Sequence, residues 1–392
     1  MSASPAPTAS IAAPPPPHEA RRRWFRRILA GFVLLEGVVI VQVGRAIARA
    51  LESMPETVVV GPADLDAPSP HGDAYAADPV LGVRPRRNVE QRYEVHPLHS
   101  PPTEGGKDRI VRRSNNLGLV RSEDVTTLAS GPRALLVGDS HLMGVVSNAD
   151  NASDLLEKRL RAGGRAAAAV YNGSCGFYSL YQEVLRLRSL AETLKPDLFV
   201  VVCFLGNDFV ELEDAGSPHL DDALVERPAD PSPPPETTSE RMRWLALPEE
   251  ALFWQGMNQA AYFHLHPERF EPVCAKAKKS LELLRDLAKG RGARTLLVLL
   301  PSYDLVFPAR VEALGDAARQ AVATGANGRL RDFVVKAADE LGIPLVDMLR
   351  AFRADGREDL YATDYHVFLR GHALLAEWMA PAVVTQFAVS GR

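Results

Sequence analysis

The chain has 392 residues, 46% of them hydrophobic and 24% charged, which is enough apolar material for a full core and excludes a chain disordered throughout. Its formal net charge is −4 and its pI is near 6.2, so nothing attracts it to nucleic acid globally. Only the amino terminus carries a basic patch, and no nucleic-acid partner is expected.

Residues 1–20 are rich in Pro, Ala and Ser and hold almost no large apolar side chain, so they cannot offset the entropy of ordering. With the following RRRWFRR they make a predicted disordered cytoplasmic tail over 1–27. An apolar run then fills 28–44, broken only by Glu36 and Gln42. As a helix it would reach roughly 25 Å, short for a bilayer but sufficient with flanking arginines snorkelling. Five arginines precede it and Arg45 follows, which places the tail inside and the rest outside. The expectation is one transmembrane signal anchor over 28–50 and a periplasmic remainder, with the membrane as a partner. Two alternatives stand beside it. One is an interfacial helix, favoured by Glu36; the other is a cleaved signal peptide with Ala46-Ile47-Ala48 as its small-residue site.

From 51 to 130 the chain is punctuated by Pro and Gly, with short extended pieces (TVVVGP, QRYEVHP, DRIVRR), and reads as a linker and β-rich lead-in. After 131, apolar runs of strand length alternate with amphipathic stretches of helix length. The strand candidates are ALLVGDS, AAAAVYNG, LFVVVCFLGND, TLLVLLPS and IPLVDML. Strands apolar on both sides and separated by helices imply a parallel sheet covered on both faces. Ser179 and Gln182 make a capping box at one helix start, and Lys195-Pro196-Asp197 ends that helix. The acidic, proline-rich segment that opens at 211 is too polar for a core, and 211–268 is predicted to be a mobile cap.

Four polar turns would emerge at one carboxyl edge of such a sheet: Gly138-Asp139-Ser140-His141, Asn172-Gly173 with Gly176, Gly206-Asn207-Asp208, and Asp364-Tyr365-His366. Acyl transfer needs a nucleophile, a base, a group that fixes the base, and donors for the oxyanion. Ser140, His366 and Asp364 suit the first three roles. The N–H groups of Ser140 and Gly173 and the amide of Asn207 suit the fourth, with Gly173 favoured over Gly176. Asp139 reads as a turn residue bonded to backbone, and His372 as packing against the last helix. His264 and His266 lack the companions of a metal site, and neither metal nor cofactor is expected. Cys175, Cys203 and Cys274 read as reduced core thiols, with a Cys175–Cys203 bridge as the alternative.

In order and spacing these four blocks resemble the SGNH (GDSL-type) hydrolase family over residues 131–388, and SNNLGLVRSED (114–124) resembles the segment preceding Gly-Asp-Ser in membrane-anchored members. The resemblance implies a flavodoxin-like three-layer α/β/α sandwich behind the transmembrane helix. It also implies a serine esterase that cleaves short O-acyl groups, such as O-acetyl, from an envelope glycan or other acylated small molecule through an acyl-enzyme. Two departures from the family pattern, Asp364 only two residues before His366 and a histidine at 141, support an extracytoplasmic O-acyltransferase as the second reading. A catalytically idle binding scaffold is the third reading.

Overall fold

The apolar runs do become strands. In the computed structural model, which describes residues 56–60, 68–69, 72–95, 108–229, 257–313, 315–362 and 365–389, the lead-in holds six strands. These are β1 (Glu56–Val59), β2 (Pro68–Ser69), β3 (Gly72–Asp78), β4 (Gly82–Pro85), β5 (Val89–Val95) and β6 (Asp108–Ser114). They pair antiparallel in two three-stranded sheets, ordered β1-β5-β6 and β2-β3-β4. The predicted anchor over 28–50 and the tail before it lie outside the described residues; no helix among those described is long and apolar enough to cross a membrane.

The main sheet is built from β7 (Arg133–Gly138), β8 (Ala169–Asn172), β9 (Leu198–Phe204), β12 (Arg294–Leu300) and β13 (Leu345–Asp347); β10 (His219–Leu220) and β11 (Glu226–Arg227) form a separate ribbon. All pairs in the main sheet are parallel, and its order is β13-β12-β9-β7-β8. Counted along the chain this is the 2-1-3-4-5 order of doubly wound sheets, with the reversal of direction between β7 and β9. Alternate residues of each strand enter different apolar clusters. Leu135, Val137, Phe199, Val201, Leu297 and Leu299 face one way; Ala134, Leu136, Val200, Val202, Leu296 and Val298 face the other. Both sets are fully buried, so the strands read as unbroken apolar runs rather than alternating ones.

Helices supply the two outer layers. On the first face lie α3 (Leu180–Leu194), α5 (Phe270–Arg291) and α6 (Ala326–Glu340). On the second lie α2 (Ala152–Ala162) and α7 (Leu369–Val389). Ser179 and Gln182 form the reciprocal cap of α3, as their spacing predicts, and Lys195 ends it in a left-handed conformation. Of the expected cap over 211–268, residues 230–256 lie outside the described residues. Its described ends are packed into the body. Glu213 sits 2.5 Å from Lys276 Nζ, and helix α4 (Met257–Leu265) buries Ala260, Ala261, Tyr262 and Phe263.

The lead-in is tied to the main sheet next to its carboxyl edge. Val120 N–H donates to the Asn172 carbonyl at 2.8 Å, and the Arg121 guanidinium grips both oxygens of Glu157. Gly118 holds φ at +69°, and a Cβ there would stand 2.8 Å from the Pro85 carbonyl, so the turn that makes this junction requires glycine.

Candidate active site

Strand β7 ends at Gly138, where the close approach of Leu142 Cβ (2.8 Å) and the Val202 carbonyl (2.9 Å) to any Cβ requires glycine. The chain turns at Asp139 into a single helical turn, α1 (Ser140–Met143), whose first residue is the predicted nucleophile. Asp139 caps it, its Oδ1 accepting the His141 N–H at 2.8 Å. Ser140 therefore begins a helix at the switch point of the sheet, and its own N–H stands in the first turn, where no intrahelical acceptor exists.

Ser140, Asn207 and His366 line one cavity of about 140 Å³. They come from the ends of β7 and β9 and from the loop before α7, so the topology gathers three of the predicted turns. His366 is only 6% exposed. Its loop is pinned by backbone bonds from Ala362 N–H to the His366 carbonyl (2.8 Å) and from Tyr365 N–H to the Ala362 carbonyl (2.8 Å), with Tyr365 held at φ +65°. Asp364 and Thr363 lie outside the described residues.

The fourth turn corrects the sequence reading. Gly173 N–H continues the sheet ladder to the Leu136 carbonyl at 2.8 Å, and the Gly173 carbonyl accepts from buried Arg186, so the Gly173 N–H expected to face the oxyanion is already engaged by the sheet. Ser174 N–H goes to Asn172 Oδ1 and Cys175 N–H to the Gly138 carbonyl. Gly176 is different. It lines the cavity, and its N–H faces only the Met143 thioether at 3.3 Å, a weak acceptor that an oxyanion would outcompete. Ser140, Gly176 and Asn207 line the same cavity. Asn207 is oriented by Glu211, whose Oε1 accepts from its Nδ2 at 2.7 Å.

Two neutral imidazoles brace the His366 loop. His141, fully buried and stacked on Phe204 at 3.5 Å, accepts the Val367 N–H at its Nδ1 and lies 4.8 Å from the His366 ring. His372, also fully buried, accepts the Ala152 N–H at its Nδ1. Burial, reinforced by the charge of neighbouring histidines, holds His141 well below its ordinary range and pushes His372 down to about 3. His372 thus packs as expected, and His141 acts from beneath the site rather than in it.

Carboxyl groups crowd behind the cavity. Burial pushes Asp139 up to about 6, and holds Asp208 and Glu183 well above the ordinary carboxylate range. Glu183 on α3 is fully buried, and neither of its carboxyl oxygens has a hydrogen-bond partner among the described residues. Because its pKa is raised in the fold, its contribution to stability is complete below the unfolded carboxyl pKa and is lost as pH rises through the folded value. Glu183→Gln cannot ionise. We expect its melting temperature to match the parent near pH 4 and to exceed it increasingly towards pH 8, on the order of 2–4 °C per kcal/mol relieved; a gap independent of pH in thermal melts would refute the assignment.

Sequence reasoning did not find Tyr75, Arg112, Met143, Phe177 or Glu211, all of which line the cavity. Tyr75 and Arg112 come from the lead-in strands, and no local pattern announces a wall contributed from far upstream. The three cysteines are buried with free thiols. Among the described residues no group of three His, Cys, Asp or Glu side chains could hold a metal ion.

Comparisons add little here. No family model matches the sequence, and no curated protein matches it. Solved structures do match. The esterase EstA from Pseudoalteromonas sp. is 12% identical over 64% of this chain and 97% of its own, with a TM-score of 0.35. The acetyl xylan esterase AlAXEase is 13% identical over 64% and 99%, with a TM-score of 0.39. A lipase/acylhydrolase from Enterococcus faecalis is 18% identical over 64% and 95%, with a TM-score of 0.34. Likeness at these scores carries no weight; topology and site geometry do.

Proposed function

We propose that this chain is a serine ester hydrolase of the SGNH type, acting on short O-acyl groups of an envelope glycan. The observation that carries the reading is the convergence of Ser140, His366, Asn207 and Gly176 on one cavity. In this scheme Ser140 Oγ attacks the ester carbonyl and His366 takes its proton. The oxyanion forms against the Ser140 and Gly176 N–H groups and the Asn207 amide. The carbon–oxygen bond to the alcohol breaks as His366 returns the proton to the departing oxygen. Water, deprotonated by His366, then attacks the acyl-enzyme, and the carbon–Oγ bond to Ser140 breaks as His366 returns the proton to Oγ, releasing the acid. Asp364 is assigned to orient His366.

Cavity size supports a short acyl group: about 140 Å³ is close to the roughly 150 Å³ of an apolar cavity that accepts benzene. Across a nitrophenyl ester series we expect kcat/KM to fall at least about tenfold from butyryl to palmitoyl. Preference for palmitoyl would refute the short-acyl reading. The envelope setting rests on the arginine-flanked run at 28–44; a phosphatase fused after residue 60 is expected to be active, and a silent one would remove that support. His141 is buried beneath His366 and gives no argument for transfer to a second acceptor.

A further inference from the structure

Phe177 follows Gly176 directly and is 38% exposed, the one large apolar side chain among the exposed ones described that also lines the Ser140 cavity. Its backbone sits at φ +72°, a region that bulky residues rarely adopt. The fold thus accepts strain to place a partly exposed aromatic ring in the wall of the cavity. Tyr75 meets that ring edge-on, with centroids 5.7 Å apart at 68°. Tyr75 is itself fixed, its hydroxyl donating to Met143 Sδ at 3.6 Å. Two charged side chains, Arg112 and Glu211, line the same cavity. Arg112 is anchored by donating to the Gly144 carbonyl and to Gln91 Oε1.

We propose that Phe177, braced by Tyr75, is the platform for the alcohol half of the ester, and that the ring it stacks is a pyranose. The proposal rests on the ester-hydrolase reading, in which both halves of the ester share the Ser140 cavity and the half-exposed Phe177 wall of it is given to the alcohol. An aromatic face attracts the partly positive C–H face of a sugar ring, while an arginine and a carboxylate beside it suit the hydroxyls around its edge. A linear alcohol offers neither feature. Phe177 is then a specificity-determining residue, and the lead-in sheet is part of the substrate site through Tyr75 and Arg112.

The test uses the full-length chain with three acetate esters: an O-acetylated methyl pyranoside, phenyl acetate and propyl acetate. The parent is expected to have its lowest KM for the pyranoside. Phe177→Ala should raise that KM by about 2- to 12-fold, leave kcat on the pyranoside within about twofold, and raise the KM for propyl acetate by less; Phe177→Tyr should restore the parental KM. Phe177→Gly accepts the positive φ without strain, so it must show the same KM loss without the backbone strain that alanine keeps. Equal changes for pyranoside and propyl acetate, or none, would overturn the platform. A KM lowest for phenyl acetate and raised in Phe177→Ala would replace the pyranose with an aryl ring and overturn that part of the assignment. If the parent cleaves none of the three esters, the hydrolase reading itself fails, a result distinct from loss of the platform alone.

Discussion

Ser140→Ala and His366→Ala are each expected to lower kcat on a short-chain aryl ester by roughly 10⁴-fold or more, with the double variant scarcely worse than either single one. Nucleophile and base act as a unit: without the imidazole the hydroxyl keeps its proton, and without the hydroxyl the imidazole has nothing to activate. Both side chains line the same cavity, and the two elements that carry them are pinned by separate backbone bonds, so neither truncation dismantles the other's loop. Melting curves and steady-state kinetics on the same preparations separate lost chemistry from lost fold. A fluorophosphonate probe should label Ser140 in the parent and no serine in Ser140→Ala. Parent-like turnover in either single variant would end the assignment.

Asn207→Ala should cost about 10² to 10³ in kcat, roughly 3 kcal/mol, while KM barely moves. The reason lies in when the interaction forms. The ester carbonyl in the ground state carries little charge, whereas the tetrahedral intermediate places a full negative charge beside the amide. Asn207 is 2% exposed and fixed by Glu211, so the donor is in place before charge develops and needs no reorganisation. If Asn207 serves only the turn after β9, its loss will lower the melting temperature and leave turnover per folded molecule near normal; that result would exclude it from the oxyanion site.

The sheet was legible because its signal is local. Four of the five strands are mostly apolar runs buried on both faces, and the capping box at Ser179 marks a helix start by residue type and spacing alone. The polar turns carrying Ser140 and Asn207 follow from where two of those runs stop, at the ends of β7 and β9. The choice between Gly173 and Gly176 was not legible. It depends on how far β8 stays in register with β7: the ladder continues one residue past the strand, to Leu136, and consumes the Gly173 N–H. Tyr75 was hidden for a related reason. Between Ala74 and Ala76 it reads as one position of an alternating strand, and only tertiary placement brings it to a cavity whose nucleophile lies 65 residues later in the chain.

Helix α7 has a bearing on the order in which this molecule comes into being. It is the last described helix, yet Leu374, Leu375 and Met379 cover the same sheet face as Ala134 and Leu136 of the first main-sheet strand. During vectorial synthesis all five strands are therefore made before that face can be closed, and a Leu- and Val-rich surface waits for the final segment to emerge. His366 and His372 arrive on that same segment. Completion of the apolar layer and arrival of the base are a single late event, so a ribosome stalled before residue 366 would release a chain that is both inert and adhesive, a natural client for holding chaperones.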